Sequence, residues 1–336
     1  MSIAWFRRAC GARNDVTALS RTRAARGSPL VLLRFVALGL ALSCAVASYA
    51  QAPLRLVATT AELRSLAVAV GGDAIEVTHI IPGGQDAESF QPRPQDLALL
   101  RNAKAVFRVG VDYDLWLDRL VAQSGNRALQ RGGAGHIDAS TDVALLDVRA
   151  GGIGPGDGHA HGRGNPHYWL DPANAEAITG TLLEALARLD PANAKRYEAN
   201  RLAFLKRLDE KTAEWTRLLA PGQGRSLIAY HDTWPYLARR FRLRFLGVIE
   251  TRPGVAPSPS HLAKLASEGR KERVVAIVRE PHEPVRDADF LASRTGAVVV
   301  VLASGVDAVP QARDYLSLID YNVRALAEAF ARPGPR

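Results

Sequence analysis

From Leu54 onward the chain alternates short β-branched runs with stretches whose apolar residues recur at helical spacing. "LRLVATT" is followed by "AELRSLAVAVGG", "IEVTHII" by "PQDLALLRNA", and "AVFRVG" by "DYDLWLDRLVAQSG". Continuous apolar strands separated by amphipathic helices predict parallel sheets with helices packed on them. The alternation stops at residues 150 to 166, "AGGIGPGDGHAHGRGNP", whose glycine content predicts a loop. Two helices are then predicted, one from Asp171-Pro172 to about Leu189 and a longer one from Pro191 to about Ala220. A second alternating series follows, in which the strands "SLIAYH", "RFLGVIE", "RVVAIVRE" and "AVVVVLA" are interleaved with helices and "ARDYLSLIDYNVRALAEAFA" closes the chain. The expected architecture is α/β, with two lobes that each carry a parallel-type sheet covered by helices, bridged by one long helix.

The first fifty residues change how the composition is read. Arginine-rich patches precede an apolar run from Phe35 to Ala47, about 13 residues and too short for a membrane span but suited to the core of a signal peptide. Ser48-Tyr49-Ala50 fits a small-X-small cleavage site, so residues 1–50 are read as a signal peptide and the mature chain as periplasmic. "ALSC" is a poor lipoprotein box, and a lipid anchor on Cys44 is not expected. The divisions that follow are an N-terminal lobe over 51–189, a linking helix over 190–220 and a C-terminal lobe over 221–336. Of the formal net charge of +9, the leader carries +6, seven arginines against Asp15 alone, which leaves +3. No Lys/Arg stripe interleaved with aromatics remains, which argues against a nucleic-acid partner. Both cysteines, Cys10 and Cys44, lie in the leader, so a transition-metal site in the mature chain must be built from histidine and carboxylate.

The eight histidines are few enough to weigh singly. His79, His136 and His261 read as structural. His159 and His161, in "GHAHG", form a His-X-His pair suited to auxiliary metal capture, or stand there incidentally. His231 closes a predicted buried strand, at the carboxyl edge where open α/β sheets place their ligands. His167 ends the first series. Two imidazoles from opposite lobes that meet in a cleft would suit zinc, copper, iron or nickel, with further ligands needed to reach four. Spacing alone leaves open whether they share a cation or are unrelated. Glu280 and His282, in "VREPHEP", are held in reserve, and neither Asp171 nor Asp232 is assigned to a metal.

"GGQDAESFQPRPQDLALLRNAKAVFRVGVDYDLWLDRLV", "NPHYWLDPANA", "YHDTWPYLARRFRL" and "GVAPSPSHLAKL" resemble, in order and spacing, the cluster A-I periplasmic solute-binding proteins that feed zinc or manganese ABC importers. The resemblance implies two lobes bridged by one long helix and a divalent cation held between them. It places two ligands on His167 and His231. The first ligand, usually histidine, falls on Glu88. The usual acidic fourth position falls on Ala303, with Asp307 four residues later. The implied activity is non-catalytic: capture of a divalent metal, zinc first with Mn2+ or Fe2+ as alternatives, and delivery to an inner-membrane ABC permease by a monomer. A manganese or iron(II) member, a periplasmic zinc chaperone of the same fold and a metal-dependent hydrolase using "HAH" are the competing readings.

Overall fold

The computed structural model describes residues 52–85, 90–147, 164–252 and 254–332. The leader, Glu88, His159 and His161 lie outside these residues. In the first half the elements run β1 (Leu54–Ala58), α1 (Ala61–Gly71), β2 (Ile75–His79), α2 (Pro94–Asn102), β3 (Ala105–Arg108), α3 (Trp116–Ser124) and β4 (His136–Asp138). Two helices then connect the halves: α4 (Asn174–Leu189) and α5 (Ala194–Leu219). The second half contains β5 (Ser226–Ala229), α6 (Pro235–Phe241), β6 (Arg244–Val248), α7 (Pro259–Lys271), β7 (Ala276–Arg279), α8 (Val285–Thr295), β8 (Val298–Val301) and α9 (Tyr315–Ala331).

The strands form two four-stranded parallel sheets, ordered β2-β1-β3-β4 and β6-β5-β7-β8. This is the expected fold of two α/β lobes bridged by a long helix. The register explains why the strands read as unbroken apolar runs. In β1, Leu56 and Ala58 face a core shared by both halves, while Val57 faces a separate outer cluster with Val106, Leu100 and Leu120. In β5 and β7, Leu227, Ala229, Ala276 and Val278 face the shared core, and Ile228 and Ile277 face an outer cluster with Leu265 and Leu291. Successive side chains on a strand point to opposite faces, so a sheet covered on both sides leaves no polar alternation. The outer helices are α2 and α3 on one sheet and α7 and α8 on the other.

Helix α5 spans 26 residues, about 39 Å at 1.5 Å per residue. Its buried stripe is narrow: Tyr197, Phe204, Leu208, Trp215 and Leu219. That stripe faces the common core alongside residues of α1, α4 and α9, which leaves most of the helix surface for its Lys, Arg and Glu side chains. Among the described residues no helix is long and apolar enough to cross a membrane.

The structure differs from the sequence reading at two small elements. His136 begins β4, a strand absent from the alternation read in the sequence, where Val106 pairs with His136 and Arg108 with Asp138. Strand β5 ends at Ala229, so His231 stands two residues beyond the strand, on the loop that leaves the sheet. In each sheet the chain places its second strand on one side of the first and its third on the other. Loops leaving β1 and β3, and those leaving β5 and β7, therefore emerge at the carboxyl edge beside a point where the strand order reverses. There an open α/β sheet leaves a crevice.

Candidate metal centre

His167 is carried by a turn whose flanks are anchored in the core. Tyr168, Trp169 and Leu170 form a buried single turn of 3-10 helix. The Tyr168 hydroxyl donates to Val109 O at 2.6 Å, and Trp169 Nε1 donates to Ser304 O at 2.7 Å. Asn174 Nδ2 donates to Tyr168 O at 2.8 Å. Burying two large aromatics while satisfying each polar tip fixes the backbone between them. His167, 4% exposed, has little freedom left.

The second imidazole comes from the loop after β5. Tyr230 N donates to Val278 O at 2.7 Å, and Thr233 Oγ1 donates to Glu280 Oε1 at 2.7 Å, which pins the loop on both sides of His231. The other oxygen of Glu280 accepts from the Ser304 hydroxyl. Both carboxylate oxygens of Glu280 thus tie the loops after β5 and β8 together. His282 Nδ1 lies 3.9 Å from that carboxylate.

The His167 and His231 rings have centroids 6.0 Å apart and planes inclined at 75°. Two imidazoles bonded to one zinc at about 2.0–2.1 Å have ring centroids roughly 3.2 Å from the metal. The centroids are then about 5.2 Å apart at a tetrahedral angle and at most about 6.4 Å apart. The observed separation is inside that limit, and a shift of under about an ångström reaches tetrahedral geometry.

Each ring is also oriented in the manner a metal ligand requires. His167 Nδ1 lies 3.0 Å from Asn165 Oδ1, and His231 Nδ1 lies 3.2 Å from Glu250 Oε2. An amide oxygen and a carboxylate oxygen accept only, so Nδ1 carries the proton in each neutral ring and the lone pair resides on Nε2. Glu250 is itself held by Gly254 N, which donates to Oε1 at 2.7 Å. Tyr113 and Trp169 form an aromatic wall, with ring centroids 5.7 and 5.5 Å from that of His167.

Two further buried carboxyl groups lie near the seam between the halves. Burial, reinforced by the Glu280 carboxylate, pushes Glu283 up to about 8. Burial likewise pushes Glu62 up to about 7, against the opposing pull of Thr60 and of backbone groups including that of Val306. Desolvation disfavours the charged form of each.

The structure brings together two of the residues that sequence reasoning put forward, His167 and His231. It does not group Asp307 with them: among the described residues no set of three or more His, Cys, Asp or Glu side chains is placed to hold a metal ion. Asp307 adopts a left-handed backbone at φ 63°, and its amide donates to Ala312 O at 2.6 Å. It crowds Gly83, where an added Cβ would lie 2.5 Å from Asp307 Cβ. Ala303 is clamped by Asn322, which accepts from its amide and donates to its carbonyl, both at 2.8 Å. Of the histidines read as structural, His261 faces Val248 O at 2.8 Å through Nε2, while His79 ends β2 and His136 begins β4. Asp171 takes Ala173 N at 3.0 Å and ion-pairs with Arg239 and Arg240 across the seam.

Sequence reasoning did not find Asn165, Glu250 or Tyr113. Glu250 and Tyr113 act on rings far along the chain, and Asn165, though two residues from His167, also reaches the Asp232 carbonyl 67 residues away.

The model of the family described as "Zinc-uptake complex component A periplasmic" matches residues 56–329. The "High-affinity zinc uptake system protein ZnuA" of Paracoccus denitrificans (strain Pd 1222) is 29% identical over 340 residues, covering 90% of this chain and 98% of that protein. Among solved structures, a zinc-bound deletion mutant of ZnuA superposes with a TM-score of 0.71 at 27% identity, covering 84% of this chain and all of the other. A manganese-bound periplasmic metal-binding protein from candidatus Liberibacter asiaticus shares the fold, with a TM-score of 0.68 at 19% identity, covering 82% of this chain and 99% of that one. With a family model spanning the chain from β1 to the last helix, this protein belongs to the family of periplasmic component A proteins of zinc-uptake complexes.

Proposed function

We propose that this protein captures a divalent transition metal, zinc first, between its two lobes outside the inner membrane and hands it to an ABC importer. The observation that carries the reading is the pair of imidazoles, one from each half, 6.0 Å apart with each Nδ1 held by an acceptor. His167 and His231 supply nitrogen ligands through Nε2. Glu88 supplies a carboxylate, and Asp307 is the remaining candidate for a fourth ligand, reached by rearrangement of the 305–308 turn. Two imidazoles and a carboxylate are a set that zinc accepts readily. Manganese or iron(II) is the second reading, because a carboxylate in place of a third imidazole hardens the site.

In the same reading residues 1–50 are removed on export, 51–189 and 221–336 are the lobes, and 190–220 links them. His159 and His161 serve as an auxiliary pair for metal capture. The protein works as a monomer, with the permease as its partner, and no catalytic step is assigned to it.

Isothermal titration of zinc into the metal-free exported protein tests the centre. One equivalent is expected to bind, and His167→Ala and His231→Ala are each expected to weaken it at least 100-fold. Unchanged stoichiometry and affinity in both variants would remove the site from the cleft.

A further inference from the structure

The two ligand-bearing segments are joined by one side chain. Asn165 is 4% exposed, and every one of its polar groups is used. Its Oδ1 accepts from the His167 amide at 3.0 Å and faces His167 Nδ1 at 3.0 Å. Its Nδ2 donates to Asp232 O at 2.8 Å, on the residue that follows His231. Its own carbonyl accepts from the Tyr236 hydroxyl at 2.9 Å, and its amide donates to Leu146 O at 2.9 Å. The orientation of the side-chain amide is unambiguous, since one end faces a carbonyl, which only accepts, and the other a backbone N–H, which only donates.

An amide presents an acceptor and a donor side by side on one plane without having to gain a proton, as a carboxylate would. Its oxygen fixes both the backbone and the ring tautomer of one imidazole; its nitrogen fixes the backbone beside the other. We infer that Asn165 is the positioning residue of the centre, setting the separation of His167 and His231 across the cleft by holding one through Oδ1 and the segment of the other through Nδ2. This rests on the reading of those two histidines as ligands. A carboxylate at 165 would keep the bond to His167 but turn an acceptor toward the Asp232 carbonyl, so Asn165→Asp breaks only the link between the segments. Asn165→Ala breaks both links.

The test uses the exported protein and three readouts. In metal-free wild type, 15N NMR of the imidazoles is expected to show His167 protonated on Nδ1; protonation on Nε2 would overturn the inference without any variant. In Asn165→Asp that tautomer is expected to persist while zinc affinity, measured by chelator competition, falls about 10–100-fold, the usual effect of removing an outer partner. The visible absorption of bound cobalt(II) should change as the ligand geometry changes. In Asn165→Ala the tautomer preference is lost as well. Zinc affinity within twofold of wild type and an unchanged cobalt spectrum in Asn165→Asp would overturn the positioning role. His231→Ala, run alongside, separates the two failures. If it abolishes binding while Asn165→Asp does not, only the role of Asn165 falls; if it also binds normally, the metal centre itself falls.

Discussion

Removal of Arg108 is the sharpest test of how the fold supports the site. The Arg108 and Asp114 side chains are both fully buried. The guanidinium reaches Asp114 Oδ1 at 2.7 Å through Nη2 and at 2.9 Å through Nε, and Asp118 Oδ1 at 2.7 Å through Nη1. Asp114 in turn accepts from Val109 N at 2.8 Å and Gly110 N at 3.2 Å. These bonds shape the 109–114 loop, in which Val111 and Asp112 adopt left-handed backbone at φ 52° and 62°. A β-branched residue in that region is strained and persists only where its surroundings over-determine it. The loop delivers Tyr113 to the wall beside His167.

Replacing Arg108 by Met leaves Asp114 buried and without a counter-charge, which costs about 3–5 kcal/mol. Asp118 adds little to the loss, because it is 39% exposed and keeps Arg131 at 2.8 Å. At about 2–4 °C per kcal/mol for a chain of this size, metal-free protein should melt on the order of 10 °C lower. The double variant Arg108→Met/Asp114→Asn keeps a side-chain oxygen for Val109 N or Gly110 N and removes the stranded charge. It should recover much of the loss, since a buried ion pair and a neutral substitute of similar shape differ little in stability. Urea denaturation of both variants measures this. If Arg108→Met costs less than about 1 kcal/mol, or if the double variant is no better than the single, uncompensated charge is not what the pair relieves.

Glu250→Ala should weaken zinc about 10–100-fold by removing the acceptor that orients His231; equal zinc affinity in a chelator competition would refute the pairing. Zinc affinity of the wild type should fall on acidification, because a histidine must be neutral to coordinate; flat affinity from pH 7.5 to 5.5 would exclude imidazole ligands. Burial raises the Asp320 carboxyl, yet bonds from Arg324, Trp215 and Lys211 outweigh it and bring the group down to about 2. Its stabilising contribution is present above the unfolded value near 3.9 and fades as pH falls through about 2. Asp320→Asn should therefore cost about 1–2 kcal/mol at pH 7, allowing for partial exposure, and progressively less as the pH falls toward and below about 2. A gap that does not narrow on acidification would contradict this account.

The parallel sheets were legible because strands buried on both faces leave an unbroken apolar signature, and the helix caps and glycines between them bracket each unit. β4 was not, since three residues beginning with His136 carry no period, and only pairing with Val106, Phe107 and Arg108 makes them a strand. The carboxyl-edge rule singles out His231 from chain order alone, while His167 is paired with it as a ligand only through the family resemblance; the structure brings the two rings together. Their orienting partners were not legible. Asn165 reaches a carbonyl 67 residues away and Glu250 an imidazole 19 residues away, and neither distance leaves a trace in composition. The same limit applies to Asp307, which a left-handed backbone turns into a tight loop with Ala312; a residue type names a possible ligand, but φ decides where it points.

The seam around the centre bears on how a metal is held. Trp169 Nε1 reaches Ser304 O at 2.7 Å, the Tyr315 hydroxyl reaches Trp169 O at 2.7 Å, and Tyr315 N reaches Ser65 Oγ at 2.9 Å. The Tyr236 hydroxyl takes Leu146 N at 2.9 Å while donating to Asn165 O at the same distance. Asp171, fully buried, is gripped by Arg239 and Arg240 of α6. All of these ties except Tyr315 N–Ser65 Oγ have an end within a few residues of His167 or His231, so the fold itself holds the two rings. Ordering a flexible side chain on binding costs about 0.5–1.5 kcal/mol, and a site whose ligands are already held keeps that free energy as affinity. The same ties raise the barrier to release, because opening the cleft widely would strand buried polar groups such as Trp169 Nε1 and the Asp171 carboxylate. On the proposed reading, local movement beside the two imidazoles would offer a lower-energy exit than separation of the lobes. Delivery would then call for a partner that loosens those loops, not one that pries the two sheets apart.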